Sequence, residues 1–230
     1  MKSFAINLML PTVIFICSFT GPTPEEIIKN VQRRISDSKP ITKIFTGADC
    51  SGPNGPFRTT IWSAIEGYTR FEQHTSRDTT IAGINSSMSW ILNDGGITEI
   101  DSLNEAFFRG HELHLIAFDP LSRFRNPVYT GKVVFNKQPV LAIQFRDQLN
   151  NPVNIYYDAS KSYPLGMEII NPFAPKADAI RVLFQEWREI GNGLFFFTKA
   201  SFIQGDDVWT YNYTAIEVNN FDDSVFSPSN

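Results

Sequence analysis

The sequence predicts a mainly β chain with some helix (α+β): an open antiparallel half-barrel, one long meander covered by two or so helices. Three observations predict it. Phenylalanine is abundant, twenty residues against four Met and four Trp, and aromatic side chains suit a pleated, half-buried surface. Period-two alternation recurs through the C-terminal half. Short turn signals separate these runs, and tight turns make successive strands antiparallel neighbours.

The elements follow in order. Lys2 and an apolar run from Phe4 to Phe19 read as an export signal, with Ser18 and Thr20 spaced for cleavage after Thr20. Residues 1–20 are therefore expected to be a signal peptide and 21–230 a single domain. A retained anchor fits less well, because Asn7 and Pro11 interrupt the run. Acylation at Cys17 would need a small residue before it, where Ile16 stands. Removal of the signal leaves Cys50 alone, so no disulfide can form within the mature chain.

Thr23-Pro24-Glu25-Glu26 is a helix start, with Thr23 as cap, Pro24 in the first position and Glu26 closing a capping box. Ile27, Val31 and Ile35 then form an apolar stripe with Ile28 beside them. From Ile41 the period changes. Residues 59–66 alternate as a strand, Gly67 turns, and 68–74 is its partner. Residues 79–84 and 87–93 read as further strands, with Asp94-Gly95-Gly96 as a tight turn. The Gly- and Pro-rich segment Cys50–Pro56 reads as a loop. A second helix is expected from Ser102, boxed by Glu105, to Asp119-Pro120, with Leu103, Phe107, His111, His114 and Phe118 near one face and Gly110 tolerated inside.

The remaining strands are expected at 128–136, 139–149, 153–158, 163–171, 180–189, 194–203 and 208–218. Gly191-Asn192-Gly193 and Gly205-Asp206-Asp207 mark hairpins. In the last strand Trp209, Tyr211, Tyr213 and Ala215 share one face, and Thr210, Asn212 and Thr214 the other.

Charge bounds the partners. The net charge is −4 and the pI about 5.4. Arg33-Arg34 is the one adjacent basic pair, and without a basic footprint or motif nucleic acid is excluded.

The order of parts, with Glu66-Gly67-Tyr68-Thr69-Arg70-Phe71-Glu72, Ser89-Trp90, Arg109-Gly110-His111-Glu112-Leu113-His114, Tyr156-Tyr157-Asp158, Pro164–Glu168 and the ending Tyr213–Asn219 with Asp222–Phe226, resembles the LolA/LolB-like lipoprotein-carrier superfamily, and most closely its uncharacterised periplasmic relatives. The resemblance covers nearly all of the mature chain. It implies a concave apolar sheet lidded by helices, a lipid or lipidated protein as partner, and a place in the periplasm, with outer-membrane association or an envelope membrane protein as a further partner. Carriers of this family place an Arg-Pro pair near the end of an early strand, where the Arg latches the lid. Ile65-Glu66-Gly67 stands there instead, so no latch residue is carried over.

The candidate lining of such a concavity is Trp62, Phe71, Trp90, Phe107, Ile143, Phe145, Trp209, Tyr211 and Tyr213. Aromatics at period two are ordinary core residues, but two short helices can hardly fill so wide a sheet, and apolar concavities bind ligands. No catalytic, metal or cofactor site is expected. His111 and His114 lie three apart, not at the spacing of a helical zinc protease, and a metal would need a third ligand such as His74. Cys50 in Asp49-Cys50-Ser51-Gly52 matches no nucleophile signature. Asp206-Asp207 and Asp222-Asp223 are turn or terminal acids. The leading expectation is a non-enzymatic envelope protein that binds or carries a lipid or acylated ligand. The alternative is a structural or interaction protein that docks a partner by sheet edge or helix face. A hydrolase ranks third.

Overall fold

The computed structural model describes residues 21–37, 40–93 and 95–228. The expected signal peptide and Cys17 lie outside them. The first helix, α1 (Pro24–Ile35), begins as its sequence requires. Thr23 Oγ1 accepts from the Glu26 amide at 3.2 Å, and Glu26 Oε2 accepts from the Thr23 amide at 2.9 Å. Its stripe of Ile27, Ile28, Val31 and Ile35 is buried.

Two meanders follow, separated by helices. The first holds β1 (Lys43–Gly52), β2 (Gly55–Ala64), β3 (Thr69–Thr75), β4 (Thr79–Ile84), β5 (Ser89–Asn93) and β6 (Gly96–Glu99). The second holds β7 (Arg125–Phe135), β8 (Gln138–Arg146), β9 (Pro152–Tyr157), β10 (Pro164–Ile169), β11 (Ile180–Gly191), β12 (Leu194–Gln204) and β13 (Asp207–Val218). Antiparallel pairing of β1 with β13 fuses them into one 13-stranded open sheet with β6 and β7 at its edges. Asn219 secures this long-range seam. Its Oδ1 accepts from the Thr42 and Lys43 amides at 2.9 and 3.1 Å, and its Nδ2 donates to the Pro40 carbonyl at 2.8 Å. Among the described residues no helix is long and apolar enough to cross a membrane.

Several details differ from the sequence expectation. Cys50–Pro56 is not a loop: β1 runs to Gly52 and β2 starts at Gly55, with Gly55 at φ 102° closing a two-residue turn. Periodicity missed this because Gly and Pro are tolerated at a strand end beside a turn. The second helix is two, α2 (Ser102–Arg109) and α3 (Leu113–Phe118), and the cap of α2 is Asp101, whose side chain accepts from the Asn104 amide. At the break, the His111 and Glu112 amides bond three residues back, tightening the turn. The chain then redirects, so that α3 is buried on every side instead of along one stripe. A bulge between Gly47 and Ala48 shifts the β1–β13 register. Beyond it Ile216 and Val218 join the core, while Ala215 lies against Gly47 and Phe45, on the opposite face from Tyr213.

The main core lies on the helix-covered inner face, where α1 and α3 pack on β1, β7 and β12. An adjoining inner cluster of Ile61, Phe71, Ala82 and Phe108 sits under α2. The outer face has its own apolar cluster, Phe135, Val140, Ala142 and Tyr156.

Candidate functional site

The helices fill the middle of the inner face and stop short of one end of the half-barrel. There the tips of β1–β2, β3–β4 and β12–β13 extend past α2 and enclose a cavity of about 800 Å³. Its walls are largely aromatic and aliphatic: Phe57, Phe107, Phe202, Trp209 and Tyr211, with Ile169 and Ile180 opposite one another across β10 and β11. Its polar lining includes Gln73, Arg77, Asp147, Asn171 and Gln204. This is the size and mixture of an ordinary small-ligand site. The rings support one another. Phe202 and Tyr211 lie 5.0 Å apart by centroid, and Phe57 meets Tyr211 edge-on at 5.7 Å. Trp209 lies so close over Gly52 that a β-carbon there would fall 2.4 Å from the indole. Glycine is what admits the ring.

Of the candidate lining residues, Phe107, Trp209 and Tyr211 are brought together at this cavity. Phe71 is buried beneath it, against Phe108 and His111. Ile143, Phe145 and Tyr213 belong to the solid core. Trp62 and Trp90 are on the outer face: Trp62 packs on Phe45, and the Arg70 guanidinium lies over both indoles. Trp62 alternates with Ile61, so both faces of β2 carry apolar residues. Phe108 on one side and the C-terminal segment on the other decide which is inner. Sequence reasoning missed Phe57, Phe202, Ile169 and Ile180. A signal for Phe202 was present: the tight turn at Gly205 sets Phe202 directly opposite Trp209.

Beneath the cavity a buried ion network ties the helices to the sheet. The side chains of Glu112 and Arg123 are 0% and 1% exposed. Arg123 Nε donates to Glu112 Oε2, and its Nη2 donates to Glu112 Oε1 at 2.7 Å and to the Ala64 carbonyl at 2.8 Å. Thr69 Oγ1 donates to Glu112 Oε1 at 2.7 Å. Arg109 Nη2 donates to the Gly67 carbonyl at 3.0 Å, while its Nε donates to Glu105 Oε1 at 3.0 Å. The β2–β3 turn is thus held by arginines that come from the helical side.

The catalytic candidates are occupied structurally. Nδ1 of His111 sits 2.9 Å from the Phe107 carbonyl, and Nε2 of His114 sits 3.0 Å from the Phe197 carbonyl. Burial pushes both imidazoles below their usual pKa, His114 to about 3, against the raising effect of these carbonyls. His74 is on β3 beside Thr79 and Glu72. Asp222 caps the terminal 3₁₀ turn, and Asp223 pairs with Lys43 at 2.6 Å. Among the described residues no three His, Cys, Asp or Glu side chains are grouped to hold a metal.

Cys50 is buried with its Sγ 3.5 Å from Thr59 Oγ1, and burial pushes the thiol up to about 11. A protonated, covered thiol is a poor nucleophile. We expect Cys50 to resist iodoacetamide in the folded protein and to label rapidly in denaturant. Labelling of the folded chain at a free-thiol rate, followed by mass spectrometry, would overturn this.

Comparison with known proteins decides the fold. A LolA superfamily protein from Nitrosomonas europaea superposes with a TM-score of 0.62 over 90% of this chain and 98% of its own, at 10% identity. The fold is LolA-like. A putative outer membrane lipoprotein-sorting protein domain from Vibrio parahaemolyticus gives 0.57 over 87% and 95% at 12% identity. A DUF1329 family protein from Desulfovibrio piger gives 0.60 over 88% and 96% at 7%. No family model and no curated protein matches the sequence. In this LolA-like sheet the concavity is not empty along its length: α1 and α3 pack into it, and the cavity of about 800 Å³ lies beside α2.

Proposed function

We propose that this chain is a non-enzymatic cell-envelope protein, exported to the periplasm through its first twenty residues, that binds or carries a lipid or acylated ligand. The observation that carries this reading is the aromatic-walled cavity of about 800 Å³ at the open end of the half-barrel. Each acyl methylene withdrawn from water there contributes about 0.8 kcal/mol, so some ten buried methylenes offset the cost of association. The polar side chains of the lining orient the head of the ligand.

The test is native mass spectrometry of the mature protein from a bacterial periplasm, followed by organic extraction. A bound acyl mass, lost on denaturation, is expected. Ile180→Asp puts a charge in the cavity wall at a half-buried position on the margin of the core. It should lower lipid retention by about tenfold or more in a protein whose folding is checked by circular dichroism. Equal retention in both proteins would remove this cavity from the reading.

A second reading rests on a different surface. The edge strand β7 exposes Val128 (57%) and Val134 (76%), and a free edge can accept a partner strand. A protein partner captured equally well by Ile180→Asp and the parent would favour it.

A further inference from the structure

The cavity contains a feature that an acyl chain alone does not satisfy. His111 lines it from the turn between α2 and α3. A carbonyl only accepts, so the 2.9 Å contact with the Phe107 carbonyl places the proton on Nδ1. In the neutral ring, Nε2 then carries a lone pair. Burial lowers the tendency of this imidazole to take a second proton. Nε2 has no hydrogen-bond partner among the described residues.

Because the Nδ1 edge is turned to its own helix, the edge that reaches the cavity is the one bearing Nε2. The ring is fixed there. It stacks on Phe202 at 5.2 Å and 23° and lies 4.6 Å from Phe107. A ligand that brings only methylenes would strip water from this acceptor and return nothing. A carboxylate would face it with lone pairs on both sides. A hydroxyl completes it.

We propose that the ligand of this cavity is an apolar molecule bearing a hydroxyl group, and that His111 is a specificity-determining residue whose Nε2 accepts the hydroxyl proton. The inference rests on the cavity being a lipid site, as proposed above. Unlike that reading, it distinguishes among apolar ligands of equal length.

The experiment uses the mature protein and two probes with the same alkyl chain, 1-hexadecanol and its methyl ether, in which a methyl group replaces the donor hydrogen, in competition with an environment-sensitive fluorophore. Leaving a buried acceptor unpaired sets the expected preference for the alcohol at about tenfold. His111→Phe keeps the stacked ring and removes the acceptor. It should bind the ether as the parent does and lose the preference. His111→Gln restores an acceptor and should recover part of it. If the parent binds the ether as tightly as the alcohol, or the preference survives in His111→Phe, the assignment of His111 falls while the lipid reading stands. If neither probe binds the folded parent, both fall.

Discussion

Replacing Glu112 by alanine is expected to lower the unfolding free energy by about 3–5 kcal/mol, the cost of breaking a buried ion pair from one side. The carboxylate lies at the helix break and accepts from Arg123 and Thr69, with Arg109 3.8 Å away. Its removal leaves the Arg123 guanidinium, 1% exposed, hydrogen-bonded to the Ala64 and Ser122 carbonyls and with Asp119 as the remaining, more distant carboxylate. Arg123→Leu leaves the buried carboxylate with Thr69 and the more distant Arg109, so its loss should be the smaller of the two. The double variant Glu112→Ala/Arg123→Leu removes both charges and should recover part of the loss, because apolar replacement of a whole buried pair is far milder than halving it. Chemical denaturation of the four proteins closes the cycle. Additive losses in the double variant would show that the network does not act as a unit.

This network also explains what was and was not legible in the sequence. Hairpin chemistry was plain: Gly191-Asn192-Gly193 and Gly205 announce their turns locally, and β11 to β13 form where expected. The capping box of α1 was equally local. Glu112 and Arg123 instead find each other through a chain reversal that no periodicity encodes. The helix read as continuous from Ser102 splits at Gly110–Glu112 so that the carboxylate can reach inward. The seam between β1 and β13 is longer in range still, about the full span of the sheet.

The cavity was legible in part for the same reason. Period-two alternation separates the faces of a strand but does not say which one is inner. On β13 the opposite face carries Thr210 and Asn212, and Trp209 and Tyr211 share the face that lines the cavity. On β2 both faces are apolar, and Trp62 goes outward to Phe45 and Arg70. On β5 Trp90 does likewise. Its ring covers Gly83, where a β-carbon would lie 2.4 Å from it. The edge of the site is set by where α2 ends, and that too is a consequence of the break at Gly110.

The same break produces a measurable response to acid. His114, on the far side of the turn, is 2% exposed, stacked on Phe197 at 4.0 Å and edge-on to Tyr213 at 4.3 Å. Its folded pKa is depressed to about 3 from 6.5, chiefly by burial. Folding therefore favours the neutral ring. That contribution is complete above the unfolded value and is lost as pH falls from about 6.5 towards about 3, because the unfolded chain takes up the proton first. One such group gives a slope of about 1.4 kcal/mol per pH unit, or about 2 kcal/mol between pH 6.5 and 5. His111 is shifted in the same direction and adds to it, whereas the lowered carboxylates Asp101, Asp158 and Asp222 act only in more acid solution. Denaturant unfolding at pH 7 and pH 5 should show the loss in the parent and a flatter profile in His114→Phe. That variant keeps the aromatic stack but gives up the bond to the Phe197 carbonyl, at a cost of about 1 kcal/mol at neutral pH. Its stability should overtake that of the parent between pH 6.5 and 5. Equal stability of the parent at both pH values would mean that the His114 imidazole is hydrated in the folded protein and that its burial does not act on the titration.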